Sequence, residues 1–209
     1  FDSSDILDLP KDSYINIVNN IMEANNLKGI RFFSDFELGT ILPNLVQVIL
    51  KEKIPDIIEN PQDHDQLMNN MNALYFINQK DSSINPRHFI LSKQDDIKDL
   101  IRVLLKKFIF TDDIINQIKK NSNSILHQFN RKINNLNKDW SDGTNFVALL
   151  SFLSNGAVKY PPNGILNVEK LKDLFVKANC QSIIEEDSLF DNVDEYSILY
   201  QLKLIFNEI

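Results

Sequence analysis

Several residue types that mark particular protein classes are scarce in this chain. It has a single cysteine, Cys180, which excludes an internal disulfide and fits a reducing compartment. Five glycines among 209 residues are few for a β protein, because strands that are joined by tight turns need many of them. The sequence therefore disfavours disulfide-rich secreted folds and antiparallel β folds.

Long apolar runs and an excess of positive charge are also missing. No apolar stretch approaches the roughly 20 residues that span a bilayer, and no signal-peptide pattern is present, so we expect a cytosolic protein. The formal net charge is −7, and acidic residues outnumber basic ones in both halves of the chain. This balance disfavours binding to nucleic acid through bulk electrostatics.

No grouping of residues indicates catalysis. The three histidines lie in no nucleophile, metal or phosphate motif: His64, His88 and His127. Neighbouring carboxylates such as Asp139 and Asp142 are better explained by helix capping and turn formation than by acid–base chemistry. We interpret the acidic run at 185–187 as a solvated loop or cap, with a cation site as the alternative. The sequence predicts a protein that is not an enzyme, with neither metal nor cofactor.

The pattern that is present is helical. The chain is 43% hydrophobic, and its isoleucines and leucines recur at spacings of three and four residues, which indicates a mostly α-helical protein. A chain of 209 residues is long enough for two cores of about 100 residues each.

One turn-and-helix motif occurs twice. In the stretch 137–153, Trp140 is the only tryptophan of the chain, Asp142 and Gly143 mark a turn, and apolar residues then follow at helical spacing. Trp140 is predicted to anchor the start of this helix to a core. The stretch 33–45 repeats the pattern, with Asp35, Phe36, Gly39 and Leu45 in the places of Asp139, Trp140, Gly143 and Leu149. A repeat of this size predicts two domains rather than a solenoid.

The two copies predict the same order of elements. We expect helices over 14–22, 41–50, 66–77 and 95–110 in the first copy, and over 125–133, 146–153, 168–178 and from about 195 in the second. In the third helix, we expect Leu67, Met71, Leu74 and Ile77 to face inward. The predicted organisation is an acidic leader over 1–10, a first domain over 11–110, a connector over 111–121 that is itself helical, and a second domain over 122–209.

These features resemble the calponin homology domain, and the pair resembles the actin-binding domain of α-actinin, filamin and spectrin-type proteins. Asp139-Trp-Ser-Asp-Gly-Thr-Asn-Phe-Val-Ala-Leu-Leu is similar to the family's Trp-x-Asp-Gly core motif. Asn192-Val-Asp-Glu-Tyr-Ser-Ile-Leu-Tyr is similar to the start of its last helix, and Leu67-Met-Asn-Asn-Met-Asn-Ala-Leu-Tyr-Phe-Ile to its Asn-x-x-x-Ala-Leu helix. The resemblance implies an all-α fold of two calponin homology domains in tandem, each with about four principal helices and short helical turns.

The resemblance also implies a function. It identifies the chain as a non-catalytic module that binds filamentous actin, within a larger and in some cases dimeric cytoskeletal cross-linking or scaffold protein of the cytoplasm. The implied filament surface comprises residues of the first helix, the closing helix of the first copy and the connector: Tyr14, Ile15, Val18, Asn19, Met22, Val103, Lys106, Lys107, Phe108, Lys119 and Lys120. Lys106 and Lys107 equally suit the C-terminal end of a helix, where the dipole favours cations. Arg131 and Lys132 are candidates for binding a phosphoinositide.

The chain departs from the family where the family binds actin. Its first helix contains neither lysine nor tryptophan, and the residues before it are acidic. In the closing helix of the first copy, Arg102 replaces a tryptophan that faces a basic residue of the second domain; the matching position here is Tyr196. A cation–π latch between Arg102 and Tyr196 is one interpretation, and a solvated Arg102 is the other.

These departures support a second hypothesis, a parvin-like scaffold that has lost actin binding and docks a peptide helix of an adaptor protein. Microtubule binding is a weaker hypothesis than these two, because the chain is acidic.

Overall fold

A computed structural model describes residues 10–207 of the chain. All regular structure in this range is helical and no strand occurs within it, so the all-α prediction is confirmed. The described residues divide into two compact units, the first with residues 10 and 14–109, the second with residues 11–13 and 110–207. The predicted leader lies outside the described residues except for Pro10. No helix within 10–207 is long and apolar enough to cross a membrane.

The helices of the first unit follow the predicted order. They are α1 (Ser13–Glu23), α2 (Ile41–Leu50), α3 (His64–Lys80) and α4 (Gln94–Leu104). Short 3-10 turns over Phe33–Leu38 and Pro86–His88 precede α2 and α4 respectively. The predicted closing helix keeps α geometry only to Leu104 and continues as a π turn over Leu105–Ile109.

The helices of the second unit are α5 (Asp112–Leu126), α6 (Thr144–Leu153), α7 (Val168–Lys177) and α8 (Glu195–Asn207). The predicted helix over 125–133 is wrong, since α5 ends at Leu126 and Asn130 has a left-handed backbone. The predicted connector lies inside α5. Ile118 and Ile125 are buried on α5, which packs against α6 and α8, so these residues form a core helix of the second unit rather than a link between units.

The turn motif of the second unit is held by Asp139. Its Oδ2 accepts hydrogen bonds from the backbone N–H of Asn134 at 2.6 Å and of Asn135 at 3.0 Å, and these bonds lower the pKa of the Asp139 carboxyl. Trp140 is fully buried, with its ring centroid 4.8 Å from that of Phe146 on α6. Trp140 therefore anchors the start of α6 to the core, as predicted.

The first unit builds the same motif from different residues. Oδ2 of Asp35 accepts from the backbone N–H of Arg31 at 2.7 Å and of Phe32 at 3.1 Å. Phe36 is fully buried in the place of the tryptophan, and Gly39 has φ 71°, close to the 75° of Gly143. The carboxylates of the motif thus organise turns in both units, as the sequence predicted.

In each unit, an asparagine on the first helix makes hydrogen bonds to the loop that precedes the turn motif. In α1, the Asn19 side chain donates to the carbonyl of Ile30 at 2.9 Å and accepts from its N–H at 2.7 Å. In α5, Asn123 makes the same pair of bonds with Ile133, at 3.1 Å and 2.8 Å. Because both side-chain atoms are used in the same way, the internal repeat extends from the sequence to the hydrogen-bond pattern.

The prediction for the buried face of α3 is half wrong. Leu74 and Ile77 are buried, but Leu67 and Met71 are exposed. The helix instead turns Asn69 and Asn70 inward, in the turn before Leu74. Their amide groups donate to backbone carbonyls of Gly39, Ile58 and Phe36, and Asn69 also accepts from the N–H of Ile58. The carbonyls of Gly39 and Phe36 would otherwise be buried without partners, which is costly, and this rotation of α3 satisfies both.

Candidate binding surfaces of the two units

The two lysines at the end of the first unit have different surroundings. Lys107 pairs with Asp81, Nζ to Oδ2 at 3.0 Å, and donates to the Ser83 hydroxyl at 3.3 Å. Hydrogen bonds from Ser83 and then from Lys107 lower the pKa of Asp81 to about 2. Lys106 is exposed, and no carboxylate among residues 10–207 pairs with it. Lys106 is therefore the lysine of the pair whose charge is available to a partner.

The neighbours of these lysines offer apolar area. Val103 and Phe108 are half-buried, so part of each side chain reaches the surface of the α4 and π-turn segment. The candidate lysines of α5 also reach solvent, since Lys120 is exposed and Lys119 is half-buried. Side chains of all six predicted positions outside α1 thus reach the surface, whereas those of α1 largely do not.

Most predicted filament residues of α1 are buried. Tyr14, Ile15, Val18 and Met22 are at most 4% exposed, and Asn19 is engaged by Ile30. A filament can touch the four buried side chains only if neighbouring elements move away. Their part in a filament surface stays a prediction that requires such a movement.

Arg102 has an aromatic partner within its own unit. Its guanidinium carbon lies 4.9 Å from the ring centroid of Tyr14, and its Nε donates to the Tyr14 hydroxyl at 2.9 Å. One terminal nitrogen also pairs with Asp99 at 2.6 Å. The latch between Arg102 and Tyr196 joins residues of different units and stays a prediction.

Of the two candidate phosphoinositide residues, one is engaged within the protein and the other is exposed, as for Lys107 and Lys106. The Arg131 guanidinium donates to Asn145 Oδ1, within the start of α6, and to the Tyr160 hydroxyl at 3.3 Å. Lys132 is exposed. A phosphate group would contact Lys132 directly but would compete with Asn145 for Arg131. The phosphoinositide site stays a prediction, and Lys132 is its main candidate residue.

The remaining polar residues show no grouping that indicates catalysis. The three histidines are exposed and lie in different elements, and no cluster of metal-ligating side chains occurs within residues 10–207. The interpretation of 185–187 as solvated is wrong for Glu185, which is buried and pairs with Lys172 at 3.0 Å. Burying a carboxylate beside an ammonium avoids an unpaired charge in the core.

The sequence reasoning missed an exposed apolar groove in the first unit. It lies between α3 and residues 86–92, has a volume of about 510 Å³, and contains Leu67, Met71 and Tyr75. The sequence did contain one signal of this groove. The helix that carries Leu67, Met68 and Met71 has more apolar residues than one buried face can hold, so some of them must be exposed.

Comparisons with known proteins identify no family for this chain. Neither a scan against protein-family models nor a search of curated proteins found a match. The relation to calponin homology domains therefore rests on the residues of the chain alone.

Proposed function

We propose that this chain is a non-catalytic, filamentous-actin-binding module of a cytoplasmic cytoskeletal cross-linking or scaffold protein, built from two divergent calponin homology domains. The observation that carries the proposal is the motif on which the resemblance rests. Its aspartate, buried aromatic residue and left-handed glycine recur in both units with the same hydrogen-bond pattern. A chain that repeats this arrangement fits a tandem of two related domains.

The filament surface of this proposal centres on the segment that follows α4. Lys106 supplies an unpaired positive charge, and Val103, three residues before it on the same helical face, supplies partly exposed apolar area. Phe108 is a further partly exposed apolar residue of the segment. The actin surface that the resembled family binds is acidic, so an unpaired lysine contributes to attraction and to the association rate. Lys107, by contrast, already neutralises Asp81.

Co-sedimentation with filamentous actin at two salt concentrations tests this proposal. We expect micromolar binding that weakens with salt, and Lys106→Glu should lower the affinity about tenfold. Lys177→Glu is the matched control, because it reverses an exposed lysine in the last turn of α7, outside the proposed surface. Absence of binding at tens of micromolar, or equal losses in both variants, would contradict the proposal.

The second candidate function is a scaffold that docks a helix of an adaptor protein. The burial of Tyr14, Ile15, Val18 and Met22 favours it, because these side chains stand where the resemblance places part of the actin surface. The sedimentation experiment separates the two functions, since a scaffold of this kind stays in the supernatant.

A further inference from the structure

The groove beside α3 presents an ordered apolar stripe. Leu67, Met71 and Tyr75 are 57%, 38% and 46% exposed, and all three line the groove. They are spaced by four residues, so they lie on one face of α3 over about 12 Å. Ile90, which is 46% exposed, faces them from the 86–92 segment. Contiguous exposed apolar side chains of this kind mark interaction sites.

A buried polar atom in the groove lacks a partner. Asn70 lines the groove and is 5% exposed, and its amide nitrogen donates to the carbonyl of Phe36 at 2.9 Å. Its Oδ1 is buried and accepts no hydrogen bond from the residues that the structure describes. Buried acceptors are nearly always satisfied, and a ligand that brings a donor into the groove is one way to satisfy this oxygen.

The charges around the groove are unevenly placed. Asp63 and Glu37 line it at the N-terminal end of α3. Arg87 lines the opposite side, on the segment that follows Ile84, whose carbonyl accepts a hydrogen bond from Asn78 near the C-terminal end of α3. The groove therefore offers two carboxylates at one end and one guanidinium toward the other.

We propose that this groove binds an amphipathic helix of a partner protein. The apolar side chains of that helix recur at i, i+4 and i+7 or i+8 and pack on Leu67, Met71 and Tyr75, and a basic residue at one end faces Asp63 and Glu37. A side-chain donor among the apolar residues satisfies Asn70. The stretch from Asp63, which precedes α3, to Tyr75 spans about 18 Å, which matches a ligand helix of about 12 residues.

This inference deepens the second candidate function and is independent of the first. It uses α3 and residues 86–92, whereas the proposed filament surface uses the segment after α4. Actin sedimentation and peptide binding are therefore separate measurements, and either one can fail while the other succeeds.

A displayed library of helical 18-residue peptides tests the inference. Three positions at i, i+4 and i+7 are fixed as leucine, the others are randomised, and the whole chain is the bait. Peptides that are enriched are then synthesised, and their affinities are measured by fluorescence anisotropy. We expect basic residues to be enriched at one end of the peptides and Ser, Thr, Asn or Gln among the leucines.

Two lysine substitutions on the same helix provide the matched pair. Leu67→Lys places a charge in the groove and should weaken the selected peptides about tenfold or more. Met68→Lys is the control, because Met68 is equally a surface residue of α3, at 38% exposure, but does not line the groove. It should change the affinity less than about twofold. Circular dichroism of both variants confirms that they fold.

Several outcomes would overturn the inference. These are no enrichment of any peptide, enriched peptides that bind Leu67→Lys as tightly as the original chain, and enrichment of acidic peptides alone. Analytical ultracentrifugation gives a further one, because a dimer that Leu67→Lys abolishes would assign the groove to a second copy of this chain. Binding of a small apolar dye without any selected peptide would assign it to a small ligand.

Discussion

Replacing the motif glycines one at a time probes the internal repeat, because Gly39 and Gly143 share a backbone conformation but differ in their surroundings. Both have left-handed φ, 71° and 75°, which costs a residue with a Cβ roughly 1–2 kcal/mol. A Cβ at position 39 would lie 2.5 Å from the Cα of Gln66 in α3, and backbone cannot yield without moving the helix. At position 143 it would lie 3.0 Å from a methyl group of Leu171, which can rotate.

We expect Gly39→Ala to lower the free energy of unfolding of the first unit by about 3 kcal/mol, from backbone strain together with the displacement of α3. Gly143→Ala should lower that of the second unit by only about 1 kcal/mol, because the lost flexibility of the unfolded chain offsets part of the strain. Gly156→Ala is the control for strain alone, since its φ is 80° and no atom lies within 4 Å of a Cβ there.

Urea unfolding followed by far-UV circular dichroism and by tryptophan fluorescence measures these differences. Trp140 is the only tryptophan and belongs to the second unit, so fluorescence reports that unit while circular dichroism reports both. Gly143→Ala and Gly156→Ala should shift the fluorescence transition by similar amounts. A loss below about 1 kcal/mol for Gly39→Ala, no larger than that for Gly156→Ala, would refute the reasoning about α3.

Two further predictions concern single side chains. Asp139 has a lowered pKa, so its contribution to stability is present above the ordinary value of 3.8 and is lost as the pH falls through the lower folded value. Asp139→Asn should therefore be about 1–3 kcal/mol less stable at neutral pH, with a smaller deficit in acid, and a deficit that is constant across urea titrations at several pH values would contradict this. Arg102→Ala removes the cation–π contact with Tyr14 and should cost roughly 0.5–2 kcal/mol. If the interdomain latch exists, small-angle scattering of Arg102→Ala will also show a larger radius of gyration; an unchanged radius contradicts the latch.

Local patterns predicted most of the helices. The bounds of α2 and of α7 were predicted to within one residue at each end, and the start of α8 was predicted as well. Their apolar periodicity lies between clear turn residues such as Gly39, and both signals act over a few neighbouring residues. The prediction of the first helix of the second copy, over 125–133, failed because the buried face of α5 begins in residues that looked like a polar connector.

The candidate surfaces were less predictable. The sequence offers Lys106 and Lys107 as equivalent cations, yet only Lys107 lies beside Asp81, which comes from a distant part of the chain. From the sequence alone, the buried positions of α1 could not be distinguished from a binding face, since an apolar helix surface looks the same whether the core or a partner covers it. Whether such a face contacts the core or a partner depends on the packing of the other helices.

The amino-acid sequence by itself determined the all-helical architecture and the duplication of the Asp–aromatic–Gly motif, because each depends on neighbouring residues, and its composition determined the net negative charge. The tertiary structure alone decided which face of α3 points to solvent. Asn69 and Asn70 are turned inward by carbonyl groups of Gly39 and Phe36, which lie some thirty residues away in sequence. With Asn69 and Asn70 facing these carbonyls, Leu67 and Met71 lie on the exposed face of α3, and the first unit carries an open apolar groove.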